Sequence, residues 1–81
     1  MRLSVIEGDP GYDPYQKLGN RRERVRIFID GVEQQHVLTA DSELGFIDAY
    51  ETGEDGLVLI NLEKSEFYEK RLFGNVEIRI G

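Results

Sequence analysis

Turn signals divide most of this chain into short extended segments, and this rhythm constrains the fold more than any other feature. The pairs Asp30-Gly31, Asp55-Gly56 and Gly74-Asn75 each lie between apolar-rich runs. Such pairs are the strongest short-range signals of a β-hairpin. From Arg24 onward, no stretch shows the apolar period of a long amphipathic helix. The sequence therefore predicts an all-β fold.

The predicted architecture is a single β domain over residues 1–81, since a chain of this length forms one small core. We expect about six or seven short antiparallel strands in meander order, forming a small barrel or a two-layer sandwich with little or no helix. Residues 7–23 interrupt the rhythm with two Asp-Pro steps, Asp9-Pro10 and Asp13-Pro14, which favour turns. We predict a long irregular loop there, and loops of that length are usually functional or disordered.

The first predicted hairpin leaves its register open. Residues 24–29 alternate apolar and other side chains, Asp30-Gly31 turns the chain, and residues 34–40 return. A two- or four-residue loop places His36 on the apolar face of the first strand, because side chains alternate with a period of two. A three-residue loop with a bulge places Val37 there instead and leaves His36 partly exposed. The pairing of Val37 with Val25 favours the bulged register.

Two later segments carry further predictions. Leu57-Val58-Leu59-Ile60 has four consecutive apolar residues, which indicates a central strand covered on both faces. Residues 63–73 fit either a strand from Phe67 or a helix that ends at Gly74. The turn signal at Gly74-Asn75 before a cleanly alternating run favours a hairpin. In that register Lys70 would oppose Arg79, and this pair of like charges weakens the prediction.

Charge is distributed unevenly along a chain whose net charge is −6. Residues 27–63 contain nine acidic and no basic side chains, whereas residues 1–26 contain six basic and four acidic ones. An acidic surface repels a polyphosphate, so we expect no direct nucleic-acid binding. The acidic segment indicates either solubility with protected strand edges or a contact surface for a basic partner.

Three groups of side chains are candidate partner contacts. Tyr12 and Tyr15, in the predicted loop, either contact a partner or fold back onto the core. The basic candidates are Arg22, Arg24 and Arg26, whose stems alternatively cover neighbouring apolar surface. The acidic candidates are Asp41, Glu43, Asp48, Glu51, Glu54 and Asp55. Contact between the basic group of one copy and the acidic group of another would form a homo-oligomer that salt weakens.

No residue pattern identifies a catalytic site, a metal site or a cofactor site. His36 is the only histidine, there is no cysteine, and Ser4, Ser42 and Ser65 lie outside any strand–turn–helix elbow. The acids between residues 41 and 55 supply hard oxygen ligands but lack EF-hand spacing, so a cation there stays an open alternative. We therefore predict a non-enzymatic protein that needs no cofactor.

The expected location is the cytoplasm, without contact to a membrane. No apolar run approaches the roughly 20 residues that a membrane-spanning helix needs. The first seven residues lack the basic start and the longer apolar stretch of a signal peptide. An absence of cysteine is compatible with a reducing compartment.

Four stretches carry a resemblance to a known group of proteins: residues 4–12 (SVIEGDPGY), 29–32 (IDGV), 39–45 (TADSELG) and 74–78 (GNVEI). In these stretches the chain resembles small uncharacterised proteins encoded by tailed bacteriophages and prophages. The resemblance implies synthesis in a bacterial cytoplasm from a gene that commonly lies near head and tail assembly genes. It implies neither an activity nor site residues.

The function that we predict is protein–protein contact by a non-enzymatic phage or prophage accessory protein, in head or tail assembly and with association to the virion. The protein partner would be a phage structural protein or a host protein. An alternative is an acidic inhibitor that mimics nucleic acid and blocks a host nucleic-acid-binding protein. In that case the carboxylates stand in for phosphates.

Overall fold

A computed structural model describes all residues 1–81 and consists mainly of antiparallel strands. The elements follow the chain in this order: β1 (Arg2–Ser4), α1 (Tyr12–Asn20), β2 (Val25–Ile29), β3 (Val32–Gln34), β4 (Val37–Asp41), β5 (Phe46–Tyr50), β6 (Ile60–Asn61), β7 (Glu66–Phe67), β8 (Glu69–Phe73) and β9 (Val76–Ile80). The all-β prediction is confirmed. The strands outnumber the six or seven expected because several have only two or three residues.

Two sheets enclose the core and leave the structure open rather than closed into a barrel. The larger sheet has the order β1-β4-β5-β8, and the smaller one has the order β3-β2-β9. The alternating side chains Val25, Ile27 and Ile29 of β2 point toward the larger sheet, as their spacing predicts. There they pack with Ala40 and the fully buried Ile47. The two-layer alternative is therefore the one that the chain adopts.

The strand order is not the predicted meander, because the chain crosses between the sheets at Gly74-Asn75. β8 pairs with β5, whereas β9 pairs with β2, so the predicted hairpin between them is wrong. The Gly74 N–H donates to the Gly45 carbonyl at 3.0 Å, and the Asn75 N–H donates to the Asp30 carboxylate at 2.9 Å. The turn is thus fixed to both sheets. Lys70 lies opposite Ala49, away from Arg79.

The hairpin from β2 to β3 has a two-residue loop, so the bulged register is wrong. Ile29 pairs with Val32, and both loop residues have positive φ (Asp30 50°, Gly31 83°), as tight hairpin turns require. β3 ends at Gln34, and the chain then enters the other sheet. His36 lies at this crossing with φ 57° and is exposed.

The segment predicted as an irregular loop contains helix α1, and that prediction is corrected. Pro14 is the third helical residue, where no intrahelical partner exists for an N–H, so proline costs little there. The Asp9 carboxylate accepts the Gly11 N–H at 2.8 Å and orders the entry, and Leu18 is buried. This helix lacks the length and apolar character needed to cross a membrane.

Residues 51–68 form a projection beyond β5 and β8, which we call the arm. Its segment 57–60 is not the covered central strand that four apolar residues suggested. Thr52 forms one isolated bridge to Val58, and β6 pairs only with β7. None of the arm residues belongs to the core cluster, because the smaller sheet does not cover them.

Candidate protein-contact surface

On the outer face of each sheet, two arginine side chains cover the ring of a phenylalanine. In the smaller sheet, Phe28 lies beneath Arg26 and Arg79, with guanidinium carbons 5.1 and 4.1 Å from the ring centroid. Arg26 also donates to Glu33, with Nε 3.0 Å from Oε2. Cation–π contact and burial of the arginine stem both stabilise such an arrangement. Arg26, a candidate partner contact, therefore covers the fold's own apolar surface.

The larger sheet repeats this arrangement around Phe46. The guanidinium carbons of Arg2 and Arg71 lie 5.3 and 4.3 Å from its ring centroid. Arg71 forms two hydrogen bonds with Asp48, at 2.7 and 3.0 Å. Asp48 is thus neutralised inside the fold, although the sequence offered it as a contact.

Asp41 is likewise used by the fold. It is buried, its Oδ1 accepts the N–H groups of Leu44 and Glu43, and its Oδ2 accepts a hydrogen bond from Arg2 at 3.2 Å. The backbone N–H of Leu44, followed by Arg2 and the N–H of Glu43, lowers the pKa of this carboxyl. Glu43 itself is exposed and lies 3.6 Å from the N-terminal amino group.

The two candidate tyrosines are partly buried and belong to helix α1. Tyr15 borders a cleft of about 230 Å³ between the edges of the two sheets, with Ile27 and Val37 in its lining and His36 at its side. Ser4 also lines this cleft, and its hydroxyl forms a buried hydrogen bond of 2.7 Å with the Thr39 hydroxyl. The partial burial of both tyrosines and the position of Tyr15 at this cleft favour a role in covering the core.

Backbone hydrogen bonds hold the arm in a defined conformation. The Glu51 N–H donates to the Tyr68 carbonyl at 2.7 Å, the Leu59 N–H to Glu51 at 2.8 Å, and the Tyr68 N–H to Leu59 at 3.1 Å. Side-chain oxygens of Asp55 and Asn61 order its two outer turns by accepting N–H groups two or three residues later. The arm is therefore an organised element that lies outside the core.

This organised arm leaves most of its large apolar side chains in solvent. Leu62 and Leu57 are the most exposed, at 85% and 68%. The others are Leu59, Ile60, Phe67 and Tyr68. Single exposed leucines are ordinary on protein surfaces, but a contiguous apolar region marks an interaction site. Sequence analysis missed Leu57, Leu59 and Ile60 because it assigned them to a covered strand.

The base of the arm continues into a shallow apolar groove. The Phe67 ring lies 5.3 Å from the Tyr50 ring, measured between centroids. The apolar groove residues are Val5, Ile6, Leu38, Tyr50 and Phe67, and the acidic ones are Glu66 and Glu69. Val5 and Ile6 are each exposed to 44%. The exposed arm and this groove form the candidate contact surface.

The acidic candidates divide between the two ends of β5. Glu51, Glu54 and Asp55 lie on the arm, whereas Asp41 and Glu43 lie at the turn before β5. The arm also contains Glu63 and Glu66, and none of its five acidic side chains forms an ion pair. The ion pairs of the molecule are Met1–Glu43, Arg2–Asp9, Arg2–Asp41, Arg26–Glu33, Arg71–Asp48 and Arg79–Glu77. Lys64 is the one basic residue of the arm. The surface of the arm is consequently both apolar and acidic.

The basic candidates Arg22 and Arg24 lie between α1 and β2, where both are exposed and outside these ion pairs. Arg24 exchanges backbone hydrogen bonds with Gly81, at 3.1 and 2.9 Å, and so extends the pairing of β2 with β9, whereas the side chain of Arg26 is held on the ring of Phe28. Comparison of the chain with protein-family models, with curated proteins and with solved structures finds no match. The candidate surface is therefore identified from the geometry and charge of this chain alone.

Proposed function

We propose that this chain is a non-enzymatic protein that acts by protein–protein contact, with the arm as its contact surface. The observation that supports this proposal is an arm fixed by backbone hydrogen bonds whose leucines remain in solvent. Removing a large aliphatic side chain from water stabilises a complex by about 1.5–3 kcal/mol when its burial is complete. Several such side chains on one ordered element supply apolar area for the buried centre of an interface.

The proposed setting is a phage or prophage accessory protein in head or tail assembly, made in a bacterial cytoplasm and associated with the virion. This setting follows from the resemblance described above. A phage structural protein is then the first partner to examine, with a host protein as the other choice.

The experiment is co-sedimentation of the tagged protein with capsid or tail particles from induced cells. We expect the double variant Leu57→Ser/Leu62→Ser to lose particle association, because both side chains are anchors in the proposed contact. Leu44→Ser is a matched control: Leu44 is 71% exposed, and it lies beyond the opposite end of β5. Equal retention of both variants on particles, or loss only with Leu44→Ser, would refute the proposal.

A second candidate function is the acidic inhibitor that occupies a nucleic-acid site. The five unpaired carboxylates of the arm favour it, whereas the arginine partners of Asp41 and Asp48 weaken it, because neutralised carboxylates do not imitate phosphates. Competition between this protein and DNA for a host factor would distinguish it from particle association. The exposed leucines favour the assembly role, since a phosphate mimic has no need of them.

A further inference from the structure

We infer that the partner segment received by the apolar groove is a basic amphipathic helix. This inference rests on the proposed function and adds the chemistry of the partner to it. Its basis is the juxtaposition of an apolar floor on β4 and β5, two strands that are each paired on both sides, with two glutamates beside that floor.

The floor of the groove offers side chains rather than hydrogen-bonding backbone. Leu38 belongs to β4, which lies between β1 and β5, and Tyr50 belongs to β5, which lies between β4 and β8. Both strands are already paired on their two sides. An extended peptide binds by adding a strand to a free edge, whereas a helix uses only its apolar side chains. The groove therefore suits a helix.

The charge beside the floor specifies a basic partner. Glu66 and Glu69 line the groove, and neither takes part in an ion pair. The remaining arm acids extend this negative surface. Basic residues flanking the apolar face of a helix would gain Coulomb attraction there, and acidic ones would be repelled.

A second copy of this chain fits the groove less well. Its only helix, α1, directs Leu18 into its own core and carries a proline in its first turn. The exposed Arg22 and Arg24 follow that helix in an irregular segment, so they do not flank an available apolar helical face.

The test uses the full chain and three peptides of about 18 residues, each about 27 Å long as a helix. The first peptide contains leucine and lysine at amphipathic helical spacing, the second replaces lysine by glutamate, and the third is a scrambled form of the first. Fluorescence anisotropy measures their binding at low and at high salt. We expect the first peptide to bind at least about tenfold more tightly than the other two, with weaker binding at high salt.

Variants of the chain locate the binding. Ile6→Ser/Phe67→Ser removes apolar contacts, and Glu66→Lys/Glu69→Lys reverses the charge beside them, so each should weaken the first peptide about tenfold or more. Leu44→Ser and Glu43→Lys are matched controls at the other end of β5 and should leave the affinity unchanged. Circular dichroism confirms that each variant is folded.

Several outcomes would overturn the inference. These are failure of the first peptide to bind, equal binding of the glutamate or scrambled peptide, or equal weakening by the control variants. A dimer of the chain alone that Ile6→Ser/Phe67→Ser dissociates would make the occupant a second copy. If the peptide tests fail while Leu57→Ser/Leu62→Ser still loses particle association, this inference is wrong and the proposed function stands.

Discussion

Arg2 connects three parts of the molecule through one guanidinium group. Its Nη2 and Nε donate to Asp9, at 2.8 and 2.9 Å, and its Nη1 donates to Asp41. The same group covers the ring of Phe46. The side chain of Asp9 is only 15% exposed, and its hydrogen bonds with Arg2 and with the Gly11 N–H lower its pKa to about 2. The guanidinium group of Arg2 thus connects the segment before α1, the end of β4 and the outer face of the larger sheet.

The stability of the fold should decrease in acid because of Asp9. Its pKa in the folded state lies below its ordinary value of 3.8, so the ionised carboxylate stabilises the fold above about pH 4. That stabilisation is lost as the pH falls toward 2. We expect a loss of about 1–2 kcal/mol from this group, measured by urea unfolding between pH 5 and pH 2.

Asp9→Asn should be less stable than the parent at pH 5, and its stability should change less on acidification. Asp13→Asn is the control, because Asp13 is exposed and outside the ion pairs. A parent and an Asp9→Asn variant with the same pH dependence would exclude this role for Asp9.

At the scale of elements, helix α1 lies directly against β1 through Gly11. A Cβ atom at Gly11 would lie 2.8–2.9 Å from backbone atoms of Leu3, closer than real contacts allow. Gly19, near the other end of the helix, has no atom within 4 Å of the corresponding position. The two glycines therefore provide a matched pair of sites.

Gly11→Ala should destabilise the protein by about 1–3 kcal/mol, because the helix entry must move away from Leu3. Gly19→Ala should leave stability unchanged or raise it by up to about 1 kcal/mol, since alanine favours helix. Thermal and urea unfolding of both variants checks this. Equal stabilities of the two variants would show that the helix does not lie against β1 as described.

The sequence predicts an element correctly where interactions between residues close together in the chain determine it, and less well where distant parts of the chain determine it. The inward face of β2 follows from a period of two, and a turn at Asp30-Gly31 follows from its residue types. The favoured three-residue loop was nevertheless wrong, because the pairing of Val37 with Val25 was weighted above the two-residue turn that Asp-Gly also favours. The pairing of β9 depends on which sheet covers it, so Gly74-Asn75 alone indicated the wrong partner. Helix α1 was missed because the bias of Asp-Pro against helix was weighted above the tolerance of proline in a first turn.

The candidate surface was only partly predictable for a related reason. Glu54 and Asp55 are exposed and Glu51 is half-buried, whereas the arginine partners of Asp41 and Asp48 come from strands that are distant in the chain. Four apolar residues in a row indicate burial only where a second layer covers them. The smaller sheet does not extend over residues 57–60. The pattern of apolar residues within one segment does not show how far a second sheet extends.

At the scale of the whole molecule, much of the apolar material lies outside a small core. Ten hydrophobic residues are buried, whereas thirteen large hydrophobic residues are exposed, and six of those lie on the arm. The radius of gyration is 13.1 Å, against about 12 Å for a compact domain of this length. The projecting arm accounts for an extended shape with so few buried side chains.

Hydroxyl-radical footprinting of the free protein tests this exposure most directly, because the chain has leucines in both buried and exposed positions and their rates of oxidation can be compared. Leu3 and Leu18 are buried, and Leu44 is an exposed reference at the opposite end of β5. We predict that Leu57 and Leu62 are oxidised as rapidly as Leu44 and far faster than Leu3 and Leu18. Oxidation of Leu57 and Leu62 as slow as that of the two buried leucines would show that the arm is packed into the fold and would contradict the account.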